Sequence, residues 1–155
     1  MKSKKSGVVY KRPKSEALCV LELHGSKYHW SNNTERLQVI RQGIQVESIE
    51  EVGKQMNLPI KAVLDLFGMP QTTYNLKKKQ KALLDSHNTE LVLMIVELLE
   101  FGKRVFNAEE EKFQRWLKKS NSSLGGIIPE SLFDTITGVQ EVRNCLNRIE
   151  FGNLA

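Results

Sequence analysis

Thiols are nearly missing from this chain. Cys19 and Cys145 are its two cysteines, and their wide separation excludes both a zinc-ligand spacing and a disulfide framework. Apolar runs are short, and none reaches the roughly 20 residues a membrane span requires. The N-terminus is basic but lacks the apolar core of a signal peptide, so the chain is expected to stay cytoplasmic, with no membrane partner. No Cys or carboxylate cluster joins His24, His29 and His87 at ligand spacing, and ordinary surface histidines are expected, with no metal site. Gly125-Gly126 is followed by no Lys-Ser/Thr and preceded by no strand, which excludes a phosphate-binding loop. No Ser, Thr or Cys sits in a nucleophile elbow. Glu109-Glu110-Glu111 reads as a solvated charge run in the first turn of a helix. No catalytic constellation and no cofactor are expected, and an enzyme reading would need turnover without any partner.

What is present describes a soluble globular protein, with 40% hydrophobic and 26% charged residues. At 155 residues it is one compact unit or two small ones sharing an element. Its charge is uneven. Residues 1–31 carry seven Lys/Arg against two Glu, residues 32–86 eight basic against six acidic, and residues 87–155 eight basic against ten acidic. The positive excess therefore lies in the first half. Such a gradient suits a protein that meets a polyanion with one end and a protein with the other. A basic tail that only aids solubility has the same composition.

Residues 1–33 have few helix signals. Lys2, Lys4, Lys5, Lys11, Arg12 and Lys14 alternate with Ser, Gly and Pro. The apolar run at residues 17–23 fits a strand or a docked short helix equally well. Residues 27–33 (KYHWSNN) read as a linker, and the whole region as a basic arm.

From Thr34 onward the signals are helical, and no segment alternates with period two for long enough to argue a strand. Thr34 is expected to cap a helix with Leu37, Val39 and Ile40 that ends at Gly43. Ser48 with Glu51 reads as a capping box for a helix holding Ile49, Val52 and Met56. Asn57-Leu58-Pro59 closes that helix and opens the next, which runs through Val63, Leu64, Leu66 and Phe67 to Gly68. Pro70 starts another, expected to extend to Leu84. The segment from Asn88 to Phe106 is apolar around most of its circumference and should be the central buried helix. Asn107 leads into a helix with a Phe113, Trp116, Leu117 stripe behind an acidic first turn.

In the last third, Val139, Val142, Leu146 and Ile149 form the stripe of a closing amphipathic helix. Gly138 lies at its start, and Gly152 lies where a left-handed cap would end it. Arg143, Asn144, Asn147, Arg148 and Glu150 fall away from that stripe. The stretch has the form of a docking surface.

Helix, glycine turn, helix over residues 58–79 is the pattern of a helix-turn-helix. Phe67 and Met69 flank Gly68, and Tyr74 anchors the second helix. Gln71, Thr72, Thr73, Asn75, Lys77, Lys78 and Lys79 are then candidates for the exposed face. Gln and Asn can pair with adenine, Thr can touch a thymine methyl or a phosphate, and Lys neutralises phosphates. Lysine runs at helix ends are also commonly just solvated. A second register over residues 49–66 fits the same apolar mask, with small Gly53 where a small residue is usual. The first is preferred for the positive charge of its second helix, although Leu64 stands where a small residue is expected.

With both halves in view, the chain resembles the Xre/MbcA/ParS antitoxins, in particular the Xre antitoxins paired with RES-domain toxins. The elements that carry the resemblance are Val105-Phe106, Trp116-Leu117, Leu124-Gly125-Gly126 and Pro129. Thr135, Gly138, Val142 and Leu146 follow, then Arg148-Ile149-Glu150 with Gly152. It covers roughly residues 35–155 and leaves the basic arm outside. The chain departs in having Phe151 where many members have His, and Ser120 where a Pro commonly stands.

The resemblance implies an all-α protein: an Xre-like helix-turn-helix bundle followed by a small helical toxin-binding domain, sharing a long central helix. The expected divisions are 1–33, 34–98 and 99–155. It implies an antitoxin that blocks a RES toxin, which consumes NAD, and that represses the shared promoter by binding operator DNA. A homodimer is expected because helix-turn-helix proteins usually read paired half-sites. On that reading Arg143, Asn147, Arg148, Glu150, Asn153, Leu154 and Ala155 lie on or across the toxin's cleft. Trp116, Leu124, Val139, Val142, Leu146 and Ile149 form the core beneath it. The alternative is a stand-alone repressor whose C-terminal half only dimerises.

Overall fold

A computed structural model describes residues 19–23 and 25–152. The lysines expected in an arm before residue 15, together with His24, Asn153, Leu154 and Ala155, lie outside the described residues.

The first described elements form a β-hairpin. β1 (Cys19–Leu23) pairs antiparallel with β2 (Ser26–Trp30), placing Cys19 opposite Trp30 and Leu23 opposite Ser26. The apolar run at residues 17–23 thus supplies a strand, and residues 27–30 are not a linker. Burial alternates along β2: Lys27 and His29 are exposed, Tyr28 is half-buried and Trp30 is buried. The Tyr28 hydroxyl accepts a hydrogen bond from the Gln45 amide at 3.3 Å, pinning the hairpin to the helices.

Seven α-helices follow among the described residues. α1 (Asn33–Gln42) is capped by Asn32, whose side chain accepts from the Glu35 amide, and not by Thr34. The Glu35 carboxylate reaches back to the Ser31 amide and hydroxyl, which holds its pKa below the usual carboxylate range. Gly43 ends the helix at φ 84°, where a Cβ would lie 2.4 Å from the Leu84 carbonyl oxygen.

α2 (Ser48–Met56) lacks the expected capping box. Glu47 is already in the α region and the Ser48 amide already donates to Gln45, so no extended cap residue precedes Ser48. The Ser48 hydroxyl is instead buried without a hydrogen-bond partner. α3 (Ile60–Leu66) follows Asn57, which is in the left-handed region, and Pro59. Gly53 lets α2 and α3 approach closely, since a Cβ there would lie 3.0 Å from Val63.

α4 (Gln71–Lys79) begins after Pro70 and stops well short of Leu84. The Leu84 amide donates to Ile44 and the Val46 amide to Ala82, which draws the chain after Lys81 out of helical geometry. α5 (Ser86–Val105) starts earlier than expected because Asp85, not Asn88, is its cap. Leu91, Val92, Leu93, Ile95, Val96, Leu98, Leu99 and Phe101 of α5 are all buried, as a central helix requires.

α6 (Glu110–Lys118) follows Asn107 and Ala108, both at positive φ. Two 3-10 turns, Ser122–Leu124 and Pro129–Leu132, lead into α7 (Ile136–Glu150), which lies along α5. A single buried cluster runs from Trp30 through α5 to Leu146. The architecture is all-α apart from the hairpin.

Candidate nucleic-acid and protein interfaces

α4 is seated on one side chain. Of its nine residues only Tyr74 is buried. Gln71, Thr72, Thr73, Asn75, Lys78 and Lys79 are exposed and Lys77 is half-buried, so the structure brings the expected residues together on one short helix. The Gln71 side-chain amide donates to Asn75 Oδ1 at 3.0 Å, one turn along the same face. α3 differs. It carries only Lys61 and Asp65 as charged residues and buries Val63 and Leu64. The exposed cationic helix is therefore α4, which favours the register over residues 58–79.

Sequence reasoning missed two features of this surface. Leu76 is 56% exposed within the polar face. Glu50 of α2 also takes part, its Oε1 accepting from both the Tyr74 hydroxyl and Lys78 Nζ at 2.5 Å each. Burial, reinforced by the hydrogen bond to Glu50, pushes the Tyr74 hydroxyl far above the usual tyrosine range, so it stays a donor. No periodicity links Glu50 to residues 24 and 28 positions away; only the tertiary packing does.

At the other end, the Thr135 hydroxyl caps α7 by accepting from the Gly138 amide at 3.0 Å. A Cβ on Gly138 would lie 2.0 Å from the Leu132 carbonyl oxygen, so the chain closes tightly where the helix starts. Val139, Val142 and Leu146 are buried as expected, and Cys145 joins them. Ile149, expected in the core, is 37% exposed. It lies in the last turn, and the helix ends at Glu150. Leu124 is buried, and Trp116 is half-buried against Phe106 and Phe113, with ring centroids 5.8 and 6.2 Å away.

Among the proposed contact residues, the guanidinium of Arg143 lies 5.3 Å from the centre of the Phe101 ring on α5, a cation–π geometry. Asn147 and Arg148 are half-buried, and Glu150 is exposed. The missed residues are apolar. Phe151 is 73% exposed, and Ile127 and Ile128 are also open to solvent. Phe151 directly follows the predicted helix, but a lone aromatic beside a terminal glycine has no distinguishing pattern.

α6 joins the two regions. Gln114 Nε2 donates to the Gln55 carbonyl at 2.7 Å, and Lys118 Nζ to the Asn57 carbonyl at 3.4 Å, at the C-terminal end of α2. Among the described residues, no group of three or more His, Cys, Asp or Glu could hold a metal ion, and no helix is long and apolar enough to cross a membrane.

Comparison with known proteins matches two stretches of the chain. Residues 102–152 match the antitoxin Xre/MbcA/ParS C-terminal toxin-binding domain, and residues 35–97 the antitoxin Xre-like helix-turn-helix domain. The chain belongs to the Xre/MbcA/ParS antitoxin family. These descriptions are of binding domains, not catalytic ones. The antitoxin is 23% identical to Antitoxin Xre of Photorhabdus laumondii over 74% of this chain and 77% of that protein. It is also 23% identical to Antitoxin Xre of Yersinia enterocolitica, over 79% and 82%. Against a protein of Sphingobium sp. named Prs ADP-ribosylating antitoxin, identity is 25% over 78% and 81%.

Proposed function

We propose that this antitoxin binds and blocks an NAD-consuming RES-domain toxin in the cytoplasm, and that it represses its own operon by placing α4 in operator DNA as a homodimer. The observation that carries the reading is the presence of two unlike surfaces on one chain. α4 offers amides, hydroxyls and lysines over a single buried anchor, the chemistry suited to base edges and phosphates. Residues 102–152 match a toxin-binding domain and expose Ile127, Ile128, Ile149 and Phe151. Apolar anchors of this kind, with the polar Asn147, Arg148 and Glu150 beside Ile149 and Phe151 in the chain, suit a protein interface.

Inhibition by obstruction asks for no chemistry from this chain. The contact of Arg143 with Phe101 already ties α7 to α5 in the free chain, which lowers the entropy cost of docking. Two measurements test the proposal. Co-expression with the RES-domain protein of the same operon should yield a stable complex in which NAD consumption stops, and removing residues 147–155 should abolish rescue of toxin-arrested cells. Full rescue by the truncated chain overturns the toxin half. Salt-insensitive or absent binding to promoter DNA overturns the operator half.

A further inference from the structure

The Glu50 carboxylate holds α4 from outside the helix, and it takes two groups at once. Tyr74 and Lys78 stand four residues apart, on the same face of α4. Both donate to Glu50 Oε1 at 2.5 Å. Glu50 belongs to α2, whose neighbours Ile49, Glu51, Val52 and Gly53 are buried, so its own backbone is fixed by the core. α4, by contrast, buries only Tyr74. Its orientation relative to the core therefore depends heavily on this three-group contact.

We propose that Glu50 is a positioning and specificity-determining residue for DNA recognition. It sets the angle of α4 and withholds Lys78 from the phosphates. Lys77 and Lys79 then supply the sequence-independent attraction, while Gln71, Thr72, Thr73 and Asn75 read the bases. This rests on α4 being the DNA-contacting helix. The physical logic is a trade. A lysine neutralised by a carboxylate releases no counterion when DNA binds, so nonspecific affinity falls. A helix held at a fixed angle keeps its short polar side chains in register with base edges, so discrimination rises.

The test uses the full-length antitoxin, a duplex carrying the operon's own promoter, and a scrambled duplex of equal length and composition. Affinity is measured across a salt series. In Glu50→Gln the amide oxygen still accepts from Tyr74, but the charge holding Lys78 is gone. The expected result is a salt slope steeper by about 0.9, the value of one added phosphate contact. Binding to the scrambled duplex should tighten several-fold, and the promoter-to-scrambled ratio should fall. Lys78→Met should leave the slope of the wild type unchanged while lowering that ratio. Tyr74→Phe keeps the ring packed and should lower the ratio without touching the slope. Thermal melts confirm that each variant folds.

Lys79→Ala separates the two levels of the argument. It should flatten the slope by about 0.9. If it does not, or if the wild type binds without salt dependence, α4 is not the DNA helix. If it does, yet Glu50→Gln changes neither slope nor ratio, or Lys78→Met flattens the slope as Lys79→Ala does, then Lys78 is an ordinary phosphate contact and the Glu50 inference is overturned.

Discussion

Two positions three residues apart at the start of α7 show how differently single residues can matter. Thr135 satisfies the Gly138 amide through its hydroxyl. Thr135→Ala should therefore cost about 1 kcal/mol, the usual loss for an N-cap, read as a lowered midpoint in urea. Gly138→Ala would ordinarily stabilise a helix by up to about 1 kcal/mol. Here the new Cβ meets the Leu132 carbonyl oxygen, a backbone atom that cannot swing aside. The sign should reverse, with a loss of about 1–3 kcal/mol as in other overpacked sites. Glu130 gives the corresponding pH effect. Its Oε2 is buried without a hydrogen-bond partner, and burial raises its pKa despite the opposing pull of Lys118. A raised folded-state pKa means that the protonated form favours folding. That contribution is complete below the unfolded value of about 4.3 and is lost as pH rises through the higher folded value. Glu130→Gln should therefore melt higher than wild type at pH 7, and the advantage should shrink towards pH 4.

At the scale of elements, most helices were readable because they bury one face at helical spacing, and α5 in particular is apolar around most of its circumference. What escaped were features decided by distant partners. β2 alternates over only five residues, and the polar Ser26 and half-polar Tyr28 blur its inward side; pairing with β1 and docking of Trp30 make it a strand. Ser48 has the right spacing for a capping box, but the turn at Gln45 already makes Glu47 helical. α4 could have continued on propensity, yet the Leu84 amide bonds to Ile44 and the Val46 amide to Ala82, which ties the chain after Lys81 to the segment following Gly43 and pulls it straight. On the interfaces, the exposed face of α4 was legible from charge and one anchor, whereas the Glu50 contact and the exposed Phe151 were not. The weight of Trp30 in holding the hairpin is directly testable. Trp30 is its buried anchor. Trp30→Ala should cost about 3–5 kcal/mol, and hydrogen exchange should show the amides of β2 losing protection with it.

Taken whole, the antitoxin should unfold as one unit even though two family domains meet in it. α5 supplies core residues to both, packing against α1 and α2 at one set of faces and α6 and α7 at others. The side chains of Gln114 and Lys118 add hydrogen bonds from α6 to the end of α2. Freeing either half would strip apolar surface from α5 at about 25 cal/mol per Å², so partial unfolding is expected to be less favourable than global unfolding. The sequence supplies its own reporters. It contains two tryptophans, Trp30 in the hairpin beside α1 and Trp116 in the aromatic cluster of α6. With Trp116→Phe, fluorescence follows the helix-turn-helix half; with Trp30→Phe, it follows the toxin-binding half. Each protein's urea transition by its own tryptophan should coincide with its transition by circular dichroism, as two-state unfolding demands. Adding toxin at about 100 times its Kd should then raise stability by about 2.7 kcal/mol at both tryptophans, although toxin touches one half. A shift confined to Trp116 would mean that α5 fails to couple the halves, and the DNA-binding half would then be blind to whether the toxin site is occupied.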